Sequence, residues 1–379
     1  MSTSTARARQ LLAGAARALP GKRAVVGLDG FVDSIIRVVG RRDSQGGREF
    51  IPDIAAFAQR IGNAAGKSTA MELIVQQTKL GGNGPIMANA LAALGLKLTY
   101  IGAVGAERGL HPVFQPMADR GTVFPVCPAA CTDALEFHDG KIMFQRMECL
   151  DHLDFAAIRH AVGPDRLVAL LDDADFVALN HWASLPHMTA IWQALQDQVC
   201  PRLAARPRQI FFDLADTEKR SAEDIRAALR TAAGFTRWYE ASLGLNEKES
   251  EHIAQVLGCE PSEADPRQRV LRRAEAIQRA TGLSTVAVHP LKFAAAASAD
   301  ASALVDGPYT AKPLISTGAG DHFNAGYCLG RILGGDLEQS LELGVVASGF
   351  YVRSGESPSV ERLEAHLVQW QAEKAGKSA

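Results

Sequence analysis

An α/β fold, with a doubly wound and mostly parallel sheet flanked by helices, is what this sequence predicts, on three observations. From residue 165 onward, short apolar runs at 176–179 and 209–212 end in the polar residues Asn180 and Asp213, each is followed by a stretch of helical period, and a further strand-like segment lies near 236–239. That alternation is the right-handed βαβ repeat of a parallel sheet. Two glycine-rich turns, Gly81-Gly82 and Gly318-Ala-Gly320, each hand the chain to a helix. Finally, 379 residues of which 47% are hydrophobic can bury a large core.

Composition narrows the partners. Forty Lys and Arg against forty-two Asp and Glu leave a net charge of −2 with no basic stripe, which argues against nucleic acid. Six cysteines at 127, 131, 149, 200, 259 and 328 are scattered through a chain too long to need staples, so reduced thiols in the cytoplasm are expected. Cys127 and Cys131 have no second Cys or His pair to complete a zinc tetrahedron. Residues 1–20 are basic and free of acids, but Arg7, Arg9 and Arg17 interrupt any apolar stretch and 6–19 keeps a 3.6-residue rhythm. An N-terminal surface helix is therefore assigned to 1–22. No run approaches the about 18 apolar residues of a membrane span, so no membrane partner is expected.

The first strand, 23–28, closes with Gly27-Leu-Asp-Gly30 and leads through Phe31-Val-Asp33 into a second apolar alternation. Acids at the end of a buried parallel strand lie where α/β sheets bind ligands, which makes Asp29 and Asp33 site candidates. Gly62-Asn-Ala-Ala-Gly-Lys-Ser-Thr69 imitates a P-loop but is one residue short between its first Gly and Gly-Lys, and a β-like segment follows where a helix is required. It is not read as a phosphate loop. Gly81-Gly82 opens an Ala/Leu-rich helix that ends at Gly95, and 100–104 reads as the next strand. Residues 133–137, His138-Asp-Gly140 and 141–144 give a strand, turn, strand signal.

After Leu245, Asn246-Glu-Lys-Glu249 is a helix-start pattern that also groups hard oxygen ligands on one turn. A further strand at 285–289 is followed by Pro290-Leu-Lys292. The chain then reaches Ile315-Ser-Thr-Gly-Ala-Gly-Asp321. Here Gly318, Ala319 and Gly320 let the backbone approach a ligand while unpaired helical N–H groups point outward, a ready anion site. Asp321 beside that site would repel a bound phosphate, so it needs another purpose, such as accepting a proton from an attacking hydroxyl.

Gly318-Ala-Gly-Asp321, with Ala325-Gly326 behind it, resembles the C-terminal signature of the ribokinase or PfkB family of carbohydrate kinases. The Gly81-Gly82 turn and its small-residue helix look like that family's N-terminal signature, and Asn246-x-x-Glu249 matches a third motif. The signals run in the family's order over 23–370. The resemblance implies a ribokinase-like α/β domain there, with a small β lid drawn from about 36–50, 70–80 and 130–147, and a C-terminal tail at 371–379. It implies ATP-dependent phosphorylation of a hydroxymethyl group on a sugar or sugar-like molecule, with Asp321 as catalytic base and the Gly318, Ala319 and Gly320 amides neutralising charge. Substrate contacts fall on Asp33, with Asp29 as fallback, and on Gly81, Gly82 and Asn83. Nucleotide contacts fall on Thr317, Gly318, Gly320, Asn246 and Lys292, and Mg²⁺ on Asn246 and Glu249 through water. The resemblance also suggests a homodimer through the lid.

Three departures are visible. Ile86 replaces an Asn, Pro290 stands where a Gly-containing turn is usual, and Ile315 replaces an Asp that organises a monovalent-cation loop, so K⁺ activation is not expected. These leave, as the alternative, a catalytically weak or inactive kinase-like protein that binds sugar or nucleotide. A dinucleotide-binding dehydrogenase is excluded, because no Gly-x-Gly-x-x-Gly follows the first strand.

Overall fold

β1 (Arg23–Leu28) is buried from its second residue onward, and its side chains alternate between two cores. Val25 enters one cluster and Ala24 and Val26 the other, as period-2 geometry demands of a strand covered on both faces. The computed structural model describes residues 3–106 and 108–376. From β1 the chain leaves the main sheet for β2 (Phe31–Arg42), β3 (Arg48–Phe50) and β4 (Leu73–Gly81), then returns with β5 (Lys97–Gly102) and β6 (Gly121–Pro125). It leaves again for the hairpin β7 (Ala130–Phe137) and β8 (Gly140–Arg146). Six strands follow in succession: β9 (Phe176–Leu179), β10 (Gln209–Asp213), β11 (Glu240–Leu245), β12 (Thr285–Val288), β13 (Phe293–Ala297) and β14 (Ser302–Asp306).

The main sheet runs β14-β13-β12-β11-β10-β9-β1-β5-β6, parallel from β6 through β12, with β13 and β14 antiparallel at one edge. Strand order reverses at β1, which has β5 on one side and β9 on the other. Such a reversal opens a crevice at the carboxyl ends of the strands, the position where doubly wound sheets bind ligands. One face of the sheet is covered by the helices Thr3–Ala18, Asn83–Ala93, Ala319–Ile332, Leu337–Ser354 and Val360–Gly376, which share the cluster around Tyr100, Phe323 and Tyr327.

β2, β3, β4, β7 and β8 form the second sheet. β2 pairs in parallel with β7 and antiparallel with β3 and β4. Ile36, Val38, Ile51 and Leu135 bury one face of it against Phe57 of the helix Ile54–Gly62.

Several expectations need correction. β2 already pairs with β4 and β7 from Phe31, so the lid begins at 31 rather than 36, and Asp33 sits within a strand. The helix Val360–Gly376 takes up most of the expected tail, because Trp370 packs on the core and Lys374 pairs with Asp306 at 2.8 Å; residues 377–379 lie outside the described residues. The strand expected at 236–239 is replaced by the turn Phe235–Arg237, where the rings of Phe235 and Tyr239 pack inward against each other, and β11 starts at Glu240. At the N-terminus, Ala8, Leu12 and Ala15 are buried, so the helix Thr3–Ala18 is docked; Met1 and Ser2 are outside the described residues. The P-loop-like stretch, by contrast, is as expected: it caps the helix Ile54–Gly62 and runs through turns into β4, with no helix before Asn83. Among the described residues no helix is long and apolar enough to cross a membrane.

Candidate active site

The crevice at the strand ends is a cavity of about 380 Å³, roofed by Asp33 and Thr132 of the second sheet and floored by Asp321, Gly318 and Asp213. A neighbouring slot of about 460 Å³ meets it at Asn246, His289 and Gly320 and is walled mainly by apolar groups such as Pro290, Phe293, Tyr309 and Val345. Hydroxyl-sized polar ligands fit the first, and a planar apolar group fits the second.

Gly318 caps the helix Ala319–Ile332 with φ +92°, a conformation glycine reaches without strain, and a Cβ there would press on Tyr351 Oη at 3.1 Å. The turn is braced from behind. Tyr351 Oη donates to the Thr317 carbonyl (3.0 Å), and His322 stacks on the Tyr351 ring at 3.6 Å. His322 Nδ1 lies 2.8 Å from the Gly318 carbonyl, which can only accept, so Nδ1 carries the hydrogen and Nε2 accepts from Ser357. Burial lowers the His322 pKa to about 4, so this brace is neutral.

Asp321, three residues into that helix start, is 7% exposed, and its Oδ1 is buried without a hydrogen-bond partner. Burial first, and then the carboxylates of Asp213, Asp29 and Glu249, push its pKa well above the usual carboxylate range. A carboxylate that binds protons this readily is suited to accept one from a hydroxyl.

Asp33 lines the same cavity and is half-buried; burial raises its pKa against the opposing effect of a Thr132 hydrogen bond. Gly81 is needed beside it, since a Cβ there would fall 2.2 Å from Asp33 Oδ2. Asp29 does not reach the cavity. It is fully buried, with Oδ1 accepting from Gly84 N–H (2.9 Å) and Oδ2 from His181 Nδ1 (2.8 Å). Its carboxylate thus holds the N-terminus of the helix Asn83–Ala93, where a negative charge is favoured, and corrects the fallback reading of Asp29 as a ligand contact. Asn83 faces the cavity while donating to Asp213 Oδ2 at 3.3 Å.

Asn246 and Glu249 form a reciprocal capping box and also line the cavity. Burial, then Asp213, raises the Glu249 pKa well above normal. Lys292 is not in either lining; its ammonium lies 5.1 Å over the Tyr309 ring, because the Pro290 turn carries it to the outside of the slot. His289 does line both cavities, but burial lowers its pKa to about 4, so it brings no charge.

His181, Ala215 and Asp213 were not among the site residues expected from the sequence. His181 and Ala215, the two non-glycine residues at positive φ among the described residues, both line the cavity. Backbone strain of that kind gathers at functional sites. Asp213 accepts from Ala215 N–H, Asn324 Nδ2 and Asn83, tying the two helix starts together across β10. Both His181 and Asp213 sit at strand ends that were visible in the sequence. The rule that marked Asp29 and Asp33 at β1, applied to β9 and β10, would have found them.

Comparison with known proteins agrees with this geometry. The chain matches the family model for prokaryotic ketohexokinase over residues 3–370. It is 29% identical over 350 residues to a ketohexokinase of Haloferax volcanii, covering 91% of this chain and 90% of that protein. Among solved structures it resembles a ribokinase of Thermotoga maritima (TM-score 0.62, 16% identity, 92% of this chain and 99% of the other). A carbohydrate kinase of Agrobacterium tumefaciens is similar to the same degree (TM-score 0.62, 18% identity, 92% and 97%). A third neighbour is a ribokinase-type protein of E. coli in complex with ATP and Mg²⁺ (TM-score 0.60, 14% identity, 92% and 99%). With its ribokinase-type fold and this family match, the chain belongs to the prokaryotic ketohexokinase family of carbohydrate kinases and is a sugar kinase.

Proposed function

We propose that this kinase transfers the terminal phosphoryl group of ATP to a hydroxymethyl group of a ketohexose, with Asp321 as the general base. The observation that carries the reading is the orphaned, buried Oδ1 of Asp321 beside the Gly318 helix start: one atom able to take a proton next to one site able to hold an anion. The choice of a ketohexose as acceptor is supported by the family model and the Haloferax relative. Asp33 and the Gly81-Gly82 backbone hold the sugar beneath the second sheet, His181 Nε2 offers a further polar contact, and Asp321 receives the hydroxyl proton. The amides of Ala319 and Gly320 face the oxygens of the transferring group. The apolar slot takes the nucleobase between Pro290, Tyr309 and Val345.

Mg²⁺ suits the residues present. Asn246 and Glu249 bring oxygen atoms from a single helix start to the cavity lining, which fits an ion that needs few direct protein contacts. Glu249 and Asn246 would orient its waters, and the ion would supply charge neutralisation on the phosphates. We place the enzyme in the cytoplasm, with its six thiols free, and infer a homodimer through the lid, whose outer face exposes Leu73, Val75 and Phe144. Sedimentation of the purified protein tests the dimer.

Turnover of fructose with Mg·ATP, with Asp321→Asn run in parallel, tests the assignment. Phosphorylation lost in the variant supports it, and near-normal turnover there removes Asp321 from the base role. Ligand-induced melting shifts without any turnover would favour a binding protein instead.

A further inference from the structure

Lys141 lies on β8 of the second sheet, at the tip of the β7–β8 hairpin, yet it hydrogen-bonds to the other half of the site: its Nζ donates to Thr317 Oγ1 at 2.7 Å. Thr317 immediately precedes the Gly318 helix start. Side chains two apart on a strand share a face, and Met143 and Gln145 of β8 both line the cavity, so Lys141 belongs to the cavity-facing row. Its charge also reaches Asp33, whose carboxylate it stabilises. The ammonium therefore sits at the rim between the sugar-side acid and the phosphate-side turn.

The basic residues that line the two cavities are engaged or neutralised, and Lys79, whose charge also reaches Asp33, lines neither. His289 and His322 are uncharged through burial, Lys292 is stacked over Tyr309, Lys219 pairs with Asp216 at 3.7 Å, and Lys248 pairs with Glu218. Lys141 differs, in that its hydrogen bond goes to a neutral hydroxyl and, among the described residues, no carboxylate lies within ion-pair distance of it. Meanwhile Asp321, Asp213, Asp29 and Glu249 crowd the same region with negative charge. A triphosphate entering there needs cationic counter-charge, and the protein supplies it from the second sheet.

We propose that Lys141 is a catalytic residue for the sugar kinase reaction, a lid-borne cation that contacts the transferring phosphoryl group and is parked on Thr317 until that group arrives. A threonine hydroxyl has one proton to donate and two lone pairs. Thr317 can accept from Lys141 and still donate to a phosphate oxygen on the turn, which puts that oxygen within reach of the ammonium. In the transfer, the sugar hydroxyl oxygen forms the new bond to the terminal phosphorus as the bond to the bridging oxygen breaks. The nucleoside diphosphate leaves with the electron pair, and the hydroxyl proton passes to Asp321. Lys141 stays protonated throughout and neutralises charge on the non-bridging oxygens. Because β8 must be seated for this contact, closure of the second sheet and phosphoryl transfer are coupled.

This inference rests on the kinase reading above, so wild-type turnover of fructose is established first; its absence would fail that reading and not this one. Lys141→Met is then expected to lower kcat by about 100-fold while KM for fructose and for ATP moves by less than about threefold, with Lys141→Arg recovering part of the loss. Binding isolates the charge from the fold. Lys141→Met should bind ADP as tightly as wild type does but lose affinity for ADP with aluminium fluoride, which mimics the transferring group. A kcat within twofold of wild type, or equal weakening of ADP and ADP–aluminium fluoride, would reduce Lys141 to a strut holding the second sheet.

Discussion

Two glycine turns line the cavity, and a buried aspartate sits beside each: Asp29, from the end of β1, at the first, and Asp321, on the helix it opens, at the second. At Gly81-Gly82, Asp29 is 0% exposed and both its oxygens are engaged, one by Gly84 N–H and one by His181. At Gly318–Gly320, Asp321 is 7% exposed and one oxygen is engaged by nothing. Residue type, burial and placement near a helix start are the same, yet the chemistry differs. A satisfied carboxylate fixes geometry, whereas an unsatisfied one holds free energy that a substrate proton can release.

The sharpest way to break that contrast is to exchange each acid for its amide. Asp321→Asn should lower kcat by about 1,000-fold or more with little change in KM, measured by coupled ADP release. Because the folded pKa of Asp321 is raised above its unfolded value, its contribution to stability is present below the unfolded pKa and is lost as pH rises through the folded pKa. At neutral pH its ionisation therefore opposes folding, so the amide should melt at the same temperature or higher; a clear drop would contradict the burial argument. Asp29→Asn should do the opposite, costing about 1–3 kcal/mol in urea unfolding by weakening two buried hydrogen bonds, with a smaller loss of turnover expressed mainly as a higher sugar KM.

The same raised pKa places the acid limb of the kcat profile above the ordinary carboxylate range, since the base must be ionised to act. A limb near pH 4 would show that Asp321 is not the titrating group. Alanine at Gly82 and Gly318, the positive-φ glycine of each turn, sharpens the comparison at lower cost. Gly82→Ala and Gly318→Ala each force a side chain into a left-handed conformation worth about 1–2 kcal/mol of strain. The first should raise KM for sugar, and the second KM for ATP and the barrier to transfer. The smallest effect is expected of His322→Phe, which keeps a ring on Tyr351 but loses the bonds to the Gly318 carbonyl and Ser357: a severalfold rise in KM for ATP, with no dependence on pH between 6 and 8, because His322 with its pKa of about 4 is already neutral there.

What could be read before folding was local. The Gly-Ala-Gly-Asp321 helix start, the Gly81-Gly82 turn and the Asn246–Glu249 capping box are fixed by residues within a few positions of one another, and turn and capping chemistry has that range. The alternation of apolar runs and helical periods gave the sheet in the same way. Strand limits were less secure at 31–36 and 236–239, where tertiary pairing at one and ring packing at the other overrode the local pattern.

Only the tertiary structure decided which polar residues meet. His181 reaches Asp29 across 152 residues, Asn324 reaches Asp213 across 111, and Lys141 reaches Thr317 across 176. No periodicity encodes such distances, because each depends on how β1, β9 and β10 align their carboxyl ends and on where the second sheet folds over them. Sequence alone thus determined the turns, the helix starts and the place of the acid proposed as base. Folding decided that Asp29 is consumed by hydrogen bonds and Asp321 is not, because satisfying a buried carboxylate requires donors that only long-range packing brings within 3 Å.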